Sequence, residues 1–372
     1  MTESRERRLL LLLAAVQFTH VMDFMVMLPM GPQLMRELDI GPVGFSALLG
    51  CYSVASGLAG LLGSTFIDRF ERRWLLVASY LGFILGTLGC ALAHSAPLLG
   101  LARSLCGLFG GLCGTMSEAP FWFLAAVSCA LCVAASLVLP RLDGHLRSGG
   151  RFGLAPTLEA LGDPNARRAL VFYGVLVFAH FTIIPMLAPH LIGNVGLPET
   201  RLFVIYLVGG IASLYSTPRI GRWADAFGRV RVYAVLMAFA ALITLGITHA
   251  RPMPLPLLAL LGGSFFVFAS GRFVPAQAIL SLSVPPHRRG AFLSLGGCAR
   301  DLMAGLTTAV GGWLVTKTPD GRIEGYDRLG WLAVASGFLS LWLAGRVRNV
   351  ETTVAPGASG DAGAGQVNRT TG

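Results

Sequence analysis

Charge is what this sequence has least of. Acidic and basic side chains make up 13% of its 372 residues, against about 25% in an ordinary soluble domain. Lysine is nearly missing: of 29 basic residues only Lys317 is a lysine. Such a composition excludes a disordered chain, a nucleic-acid-binding domain and most soluble enzymes. No Gly-x-Ser-x-Gly, His-Glu-x-x-His or phosphate-cradling glycine loop is present, so the usual signatures of hydrolytic, zinc and nucleotide chemistry are lacking. The seven cysteines all fall in apolar stretches, which argues against a disulfide framework. Cys129 and Cys132 have redox or metal spacing but no further ligands nearby, and read as small packing residues.

Hydrophobic side chains, by contrast, make up 54% of the chain, and the mean hydropathy is +0.67. Uncharged runs at Gly44–Ile67, Trp74–Ala93, Ala119–Pro140 and Pro252–Gly271 each reach the ~20 residues that a helix needs to cross ~30 Å of hydrocarbon. The fold class is therefore an all-α, polytopic membrane protein. Hydropathy and helix stops place apolar segments at 9–34, 44–66, 74–93, 98–114, 120–139, 169–192, 202–218, 232–249, 255–276, 290–315 and 329–345. The apolar stretch after Arg8 has no small-residue cleavage site and reads as a retained first span.

Basic residues then sort by side. Nineteen lie in one set of connections, including Arg5, Arg69, Arg141, Arg219, Arg288 and Arg346, against six in the alternate set, such as Arg36 and Arg251. The positive-inside rule puts the first set, both termini and the 141–168 linker in the cytoplasm. The net charge of +10 is thus a topology signal. Parity raises a problem, because three apolar segments separate the 69–73 loop from the 141–168 linker although both belong inside. The 98–114 segment, rich in glycine and carrying Arg103, is expected to be a stub or re-entrant hairpin.

The chain also repeats itself. Leu28-Pro29-Met30-Gly31-Pro32 resembles Ile184-Pro185-Met186-Leu187-Ala188-Pro189, and Asp68-Arg69-Phe70-Glu71-Arg72 resembles Asp225-Ala226-Phe227-Gly228-Arg229. Both pairs are about 156 residues apart. Two parallel halves of this kind suggest a transporter with its site at the midplane between them. The last spans, aligned on Trp122 and Trp331, are offset by a larger amount, so the first half lacks about 52 residues: the end of its fourth span and its whole fifth span.

On these motifs the chain resembles the major facilitator superfamily (MFS), in the branch of drug:proton antiporters and sugar efflux permeases. Gly221-Arg222-Trp223-Ala224-Asp225-Ala226-Phe227-Gly228-Arg229 is similar to the family's loop motif between its second and third spans. The first copy departs from it, with Gly63 one position early and Glu71 in place of the inner glycine, but keeps Asp68, Arg69, Arg72 and Arg73. Ala102-Arg103-Ser104-Leu105-Cys106-Gly107 resembles the fourth-span Arg-x-x-x-Gly motif. The resemblance implies about 11 apolar segments in place of 12. The N-terminal half would be 1–140, the linker 141–168, the C-terminal half 169–346 and a disordered cytoplasmic tail 347–372.

Charges at membrane depth are functional candidates by default. Asp23 sits about 21 Å along the first span, with His20 on the same face. Asp23 either carries a proton or caps structurally; His20 either takes part or orients its neighbour. Arg103 either holds an anion, pairs with Asp23 or snorkels to the surface. Arg300 and Asp301 are adjacent, hence about 100° apart, so at most one faces the cavity squarely; they form a site or a structural ion pair. His180 falls near the repeat position of Asp23 and is a possible cavity contact. The resemblance makes Gly63, Asp68, Arg69, Arg72, Arg73, Gly221, Asp225, Gly228 and Arg229 a conformational latch, with acids set against helix N-termini. Pro29, Pro32, Pro185 and Pro189 are expected to bend their spans.

The reading is a secondary active transporter of the bacterial inner membrane. It exports a small drug- or sugar-like molecule by alternating access, with the proton gradient as its energy source, and carries no cofactor or metal. It is expected to be a monomer in the lipid bilayer with no nucleic-acid partner. The alternative, which the missing 52 residues favour, is a transport-inactive binding protein on the same scaffold.

Overall fold

The structure is a computed structural model and describes residues 27–66, 72–110 and 161–350. These are almost wholly helical, as a chain in hydrocarbon must be when no water is at hand to satisfy its backbone. In the N-terminal half the helices are α1 (Gly31–Glu37), α2 (Pro42–Phe66), α3 (Arg72–Ala91) and α4 (Ala96–Gly110). The C-terminal half holds α5 (Pro164–Phe181), α6 (Ile184–Gly193), α7 (Leu202–Phe227), α8 (Arg229–Thr248), α9 (Leu255–Phe265), α10 (Phe273–Leu282), α11 (Arg289–Leu314) and α12 (Tyr326–Ala344). Among the described residues, five stretches are long and apolar enough to span a membrane: Pro42–Leu62, Pro164–Gly193, Glu199–Phe227, Arg229–Thr248 and Leu255–Leu282.

Several boundaries obey the local chemistry. The 169–192 segment is broken at Thr182 and Ile183, between α5 and α6, just before Pro185. Proline cannot donate to the preceding turn, so the expected bend is found there. Asp163 caps α5 by accepting from the Asn165 amide at 2.9 Å. Pro218, where the apolar pattern stops, lies inside α7, which runs nine residues further to Phe227. Around it Thr217 Oγ1 donates to the Ser213 carbonyl at 2.7 Å, and Arg219 donates to that of Tyr215. These bonds brace the turn on either side of the Leu214 carbonyl, the one that the proline leaves without its helical donor. Hydropathy marks the end of the apolar run, which is not the end of the helix.

Two features lie outside the sequence reading. A π-helical turn, Phe266–Ser270, joins α9 to α10; such turns insert one residue and re-aim the helix beyond them. A two-residue antiparallel hairpin pairs Thr316 with Glu324 and Lys317 with Ile323 between α11 and α12.

Helix α4 runs unbroken through its 15 residues, about 22 Å at ~1.5 Å per residue, and packs on α2 and α3. It is therefore shorter than a full crossing over this stretch; the course beyond Gly110, where the sequence predicts a return, lies outside the described residues. So do residues 120–139 and the linker up to 160.

The halves meet chiefly along α2 and α11, the most extensive helix pair in the structure. Small residues make that approach possible. A Cβ on Gly57 would stand 2.7 Å from Leu302 Cγ, one on Gly60 2.6 Å from Cys298 Sγ, and one on Gly312 2.6 Å from Ser46 Oγ. In lipid the apolar effect does not drive helices together, and close van der Waals fit takes its place. At one end α1 packs on α6, so the two copies of the repeated proline motif lie against each other. Met27, Leu28 and Met35 share one core with Ile184, Met186 and Leu191.

Candidate functional site

The seam between α2 and α11 carries a carboxylate at its middle. Asp301 lies 12 residues into the 26-residue α11, and its neighbour Arg300 donates from Nε to Oδ1 at 2.8 Å. The other oxygen, Oδ2, accepts from Ser56 Oγ of α2 at 2.6 Å. The ion pair expected from adjacency is therefore present, and it also reaches across to the other half. Ser56 is 1% exposed, because Gly57 and Gly60 let the two backbones close around it. Among the described residues Asp301 is the one acid near the middle of a long helix. A half-buried carboxylate holding two such bonds is a group whose charge matters to the contact it makes.

A further cationic candidate packs against α2. Arg103 of α4 is fully buried, and its guanidinium carbon lies 4.4 Å from the centre of the Tyr52 ring, a cation–π contact. It does not snorkel. Arg300 lies within electrostatic reach of both Tyr52 and Tyr173.

His180, near the end of α5, is buried among rings. It stacks on Phe265 at 6.1 Å between centroids and meets Phe273 edge-on at 4.9 Å. Its Nδ1 has no hydrogen-bond partner.

The latch candidates are placed unevenly. Gly221 is in α7, and Gly228 joins α7 to α8 with a φ of 94°, a conformation that costs other residues and suits glycine. Asp225 is exposed and pairs loosely with Arg229, the first residue of α8, at 3.6 Å. Gly63 lies in α2, and Arg72 and Arg73 open α3. Asp23, His20, Asp68 and Arg69 lie outside the described residues.

Sequence reasoning missed three things here. Ser56 and Tyr52 gave no signal, since neutral residues on an apolar helix carry no mark of their partners. Arg272 did give one. It sits in the span read as 255–276, is 4% exposed, and its Nε donates to the Ala269 carbonyl; the membrane-charge rule that picked Arg300 would have picked it too. The third is a clamp at the α1 end. Arg36 and Glu199 form a bidentate pair between the halves, with Nη1 on Oε1 and Nη2 on Oε2 at 2.8 Å. Bidentate geometry of this kind fixes orientation as well as distance.

The structure is thus two helical halves with a polar bridge between them, and comparisons with known proteins give its family. The family model of the Major Facilitator Superfamily matches residues 13–119 and 114–308. The chain belongs to this family: it is a multi-pass membrane transporter, not an enzyme. It is 20% identical to the uncharacterized MFS-type transporter YceJ of Bacillus subtilis (strain 168), over 85% of this chain and 91% of that protein. It is 23% identical to YhcA of the same organism over 66% of this chain. With the multidrug resistance protein MdtG of Dickeya zeae (strain Ech586) it shares 24% over 59% of this chain. The chain spans about half the length of these last two relatives, 46% and 53%. Among solved structures it resembles the nucleoside transporter NupG, with a TM-score of 0.67 at 11% identity, covering 92% of this chain and 98% of that one. A bacterial homologue of the lysosomal transporter Spinster, titled as inward-facing and unoccupied, gives 0.65 at 11% identity, covering 94% and 99%.

Proposed function

We propose that the protein is a secondary active exporter of a small molecule, driven by proton entry and working by alternating access in a bacterial inner membrane. The observation that carries this reading is the Ser56–Asp301–Arg300 bridge. Alternating access needs a contact between halves whose strength a bound species can change, and a proton on Asp301 removes the charge that both neighbours hold. Asp23, by its depth in the first span, is a second proton carrier in this reading. Export is supported by the likeness to a relative named for multidrug resistance.

In this reading the Arg36 end faces outward and the Arg229 end faces the cytoplasm, as the arginine bias requires. The Arg36–Glu199 clamp then closes the outer side. Single cysteines at the exposed Asp320 and Ala226 positions, in a cysteine-free background, report this. An impermeant thiol reagent on intact cells should label the first and spare the second.

Transport itself is tested in everted membrane vesicles offered a panel of sugars and of neutral, cationic and anionic aromatic compounds. At least one compound should accumulate under a proton gradient, stop with a protonophore, and fail to accumulate in Asp301→Asn vesicles. No gradient-driven accumulation of any panel member would favour the transport-inactive scaffold, which the shortened first half suggests.

A further inference from the structure

An open cavity lies away from the seam, at the Arg36 end of the C-terminal half. Its volume is about 410 Å³, within the ~300–1,000 Å³ usual for small-molecule pockets. One side comes from the end of α8 and the turn after it, with His249 and Arg251. The other comes from the hairpin between α11 and α12 and the first turn of α12, with Glu324 and Asp327. Helix α6 adds His190 and Asn194.

Both sides are fixed to α6. Asn194 holds the hairpin with its whole amide: Nδ2 donates to the Ile323 carbonyl and Oδ1 accepts from the Ile323 amide, each at 2.7 Å. His190 Nε2 donates to the Ile247 carbonyl, near the end of α8, at 3.1 Å. The His249 ring is held as well, its Nδ1 donating to the Leu245 carbonyl at 3.0 Å. These bonds frame the cavity and leave its charges unused. Arg251, Glu324 and Asp327 are exposed, and none of the three forms an ion pair among the described residues.

Opposite charges that line one cavity without closing on each other complement a molecule that carries both signs. A guanidinium matches a carboxylate through two parallel donors, and two carboxylates match an ammonium, which has three donors and no acceptor. Among the described residues no three His, Cys, Asp or Glu side chains are grouped to hold a metal ion, which leaves an organic cation for the two acids. We propose that this cavity binds a free amino acid, its carboxylate on Arg251 and its ammonium against Glu324 and Asp327. The site goes beyond the transport reading. It shares no residue with the Ser56–Asp301–Arg300 bridge, and in the orientation argued above it faces outward.

The test is equilibrium binding to the full-length protein in lipid nanodiscs, with tritiated L-leucine, L-glutamine, L-lysine and L-phenylalanine as probes. At least one should bind saturably. For that amino acid, the amine lacking its carboxylate and the acid lacking its ammonium should each displace the probe about tenfold less well, the discrimination expected of one charge-assisted contact. Variants separate the two ends. Arg251→Gln should weaken the amino acid to the level of the amine, and Glu324→Gln with Asp327→Asn should weaken it to the level of the acid. Saturable binding of none of the four overturns the proposal, as does an analogue that displaces as well as the amino acid itself. Binding that both variants leave unchanged places the amino acid elsewhere and overturns the site. Should a variant fail to fold, the analogue series on the unaltered protein decides. The vesicle assay has its own readout, so either proposal can fail while the other stands.

Discussion

Two of the contacts between the halves, among the described residues, are built of opposite materials. Along α2 and α11 the contact is buried, long and made of glycine, serine and cysteine, with one carboxylate at its middle. Between Arg36 and Glu199 it is a single ion pair whose side chains are 53% and 42% exposed. Buried close packing in lipid responds to a single added carbon. An exposed ion pair contributes at most about 1 kcal/mol and is screened by salt. In the proposed transport cycle, the seam is then the place for the coupling energy, and the clamp trims the balance between states.

The largest effect should come from wedging the seam. Gly57→Leu places a side chain where a Cβ alone would be 2.7 Å from Leu302; overpacking of this kind costs about 1–3 kcal/mol. Thermal unfolding in detergent should shift down, and transport should be lost. Gly210→Leu, with nothing within 4 Å of its Cβ, is the control and should leave both unchanged. A seam that tolerates Gly57→Leu as well as Gly210→Leu would remove the contrast between the two contacts.

Next comes the charge itself. Asp301→Asn keeps an acceptor for Ser56 and leaves the Arg300 charge uncompensated, a loss of about 1–3 kcal/mol at the contact. Proton-driven uptake should stop while the protein still folds, measured by size-exclusion profile and vesicle uptake together. Ser56→Ala, which removes one hydrogen bond worth about 1 kcal/mol, should slow transport several-fold without abolishing it.

The smallest effect belongs to the clamp. Arg36→Ala and Glu199→Ala should each shift the balance between states by less than about 1 kcal/mol, and high salt should reproduce most of either change. The exchange Arg36→Glu with Glu199→Arg should restore the original behaviour at low salt. A loss of transport as complete as in Asp301→Asn would move the coupling from the seam to the clamp.

This contrast also marks what the sequence made legible. Spans and fold class were written in the apolar runs, and the break before Pro185 in the proline itself. Arg300, Asp301 and Arg103 stood out because charge at membrane depth is costly. Their partners did not: Ser56 is 245 positions from Asp301, and helical periodicity says nothing about which helix lies opposite. Arg36 and Glu199, 163 positions apart, sit at span ends where charged residues are ordinary. Pro218 shows the reverse failure, a strong local signal for a stop through which the helix continues to Phe227.

The most direct test of the account is a distance measurement across the halves as pH changes. Spin labels at the exposed Gly41 and Thr200 positions, in a cysteine-free background in nanodiscs, report the opening of the α1 end by double electron–electron resonance. In the otherwise unaltered protein the distance distribution should move between alkaline and acidic buffer, and in Asp301→Asn it should stay at one value in both. A distribution that ignores pH, or one that moves equally with Asn at position 301, would contradict the claim that Asp301 couples the proton to the movement of the halves.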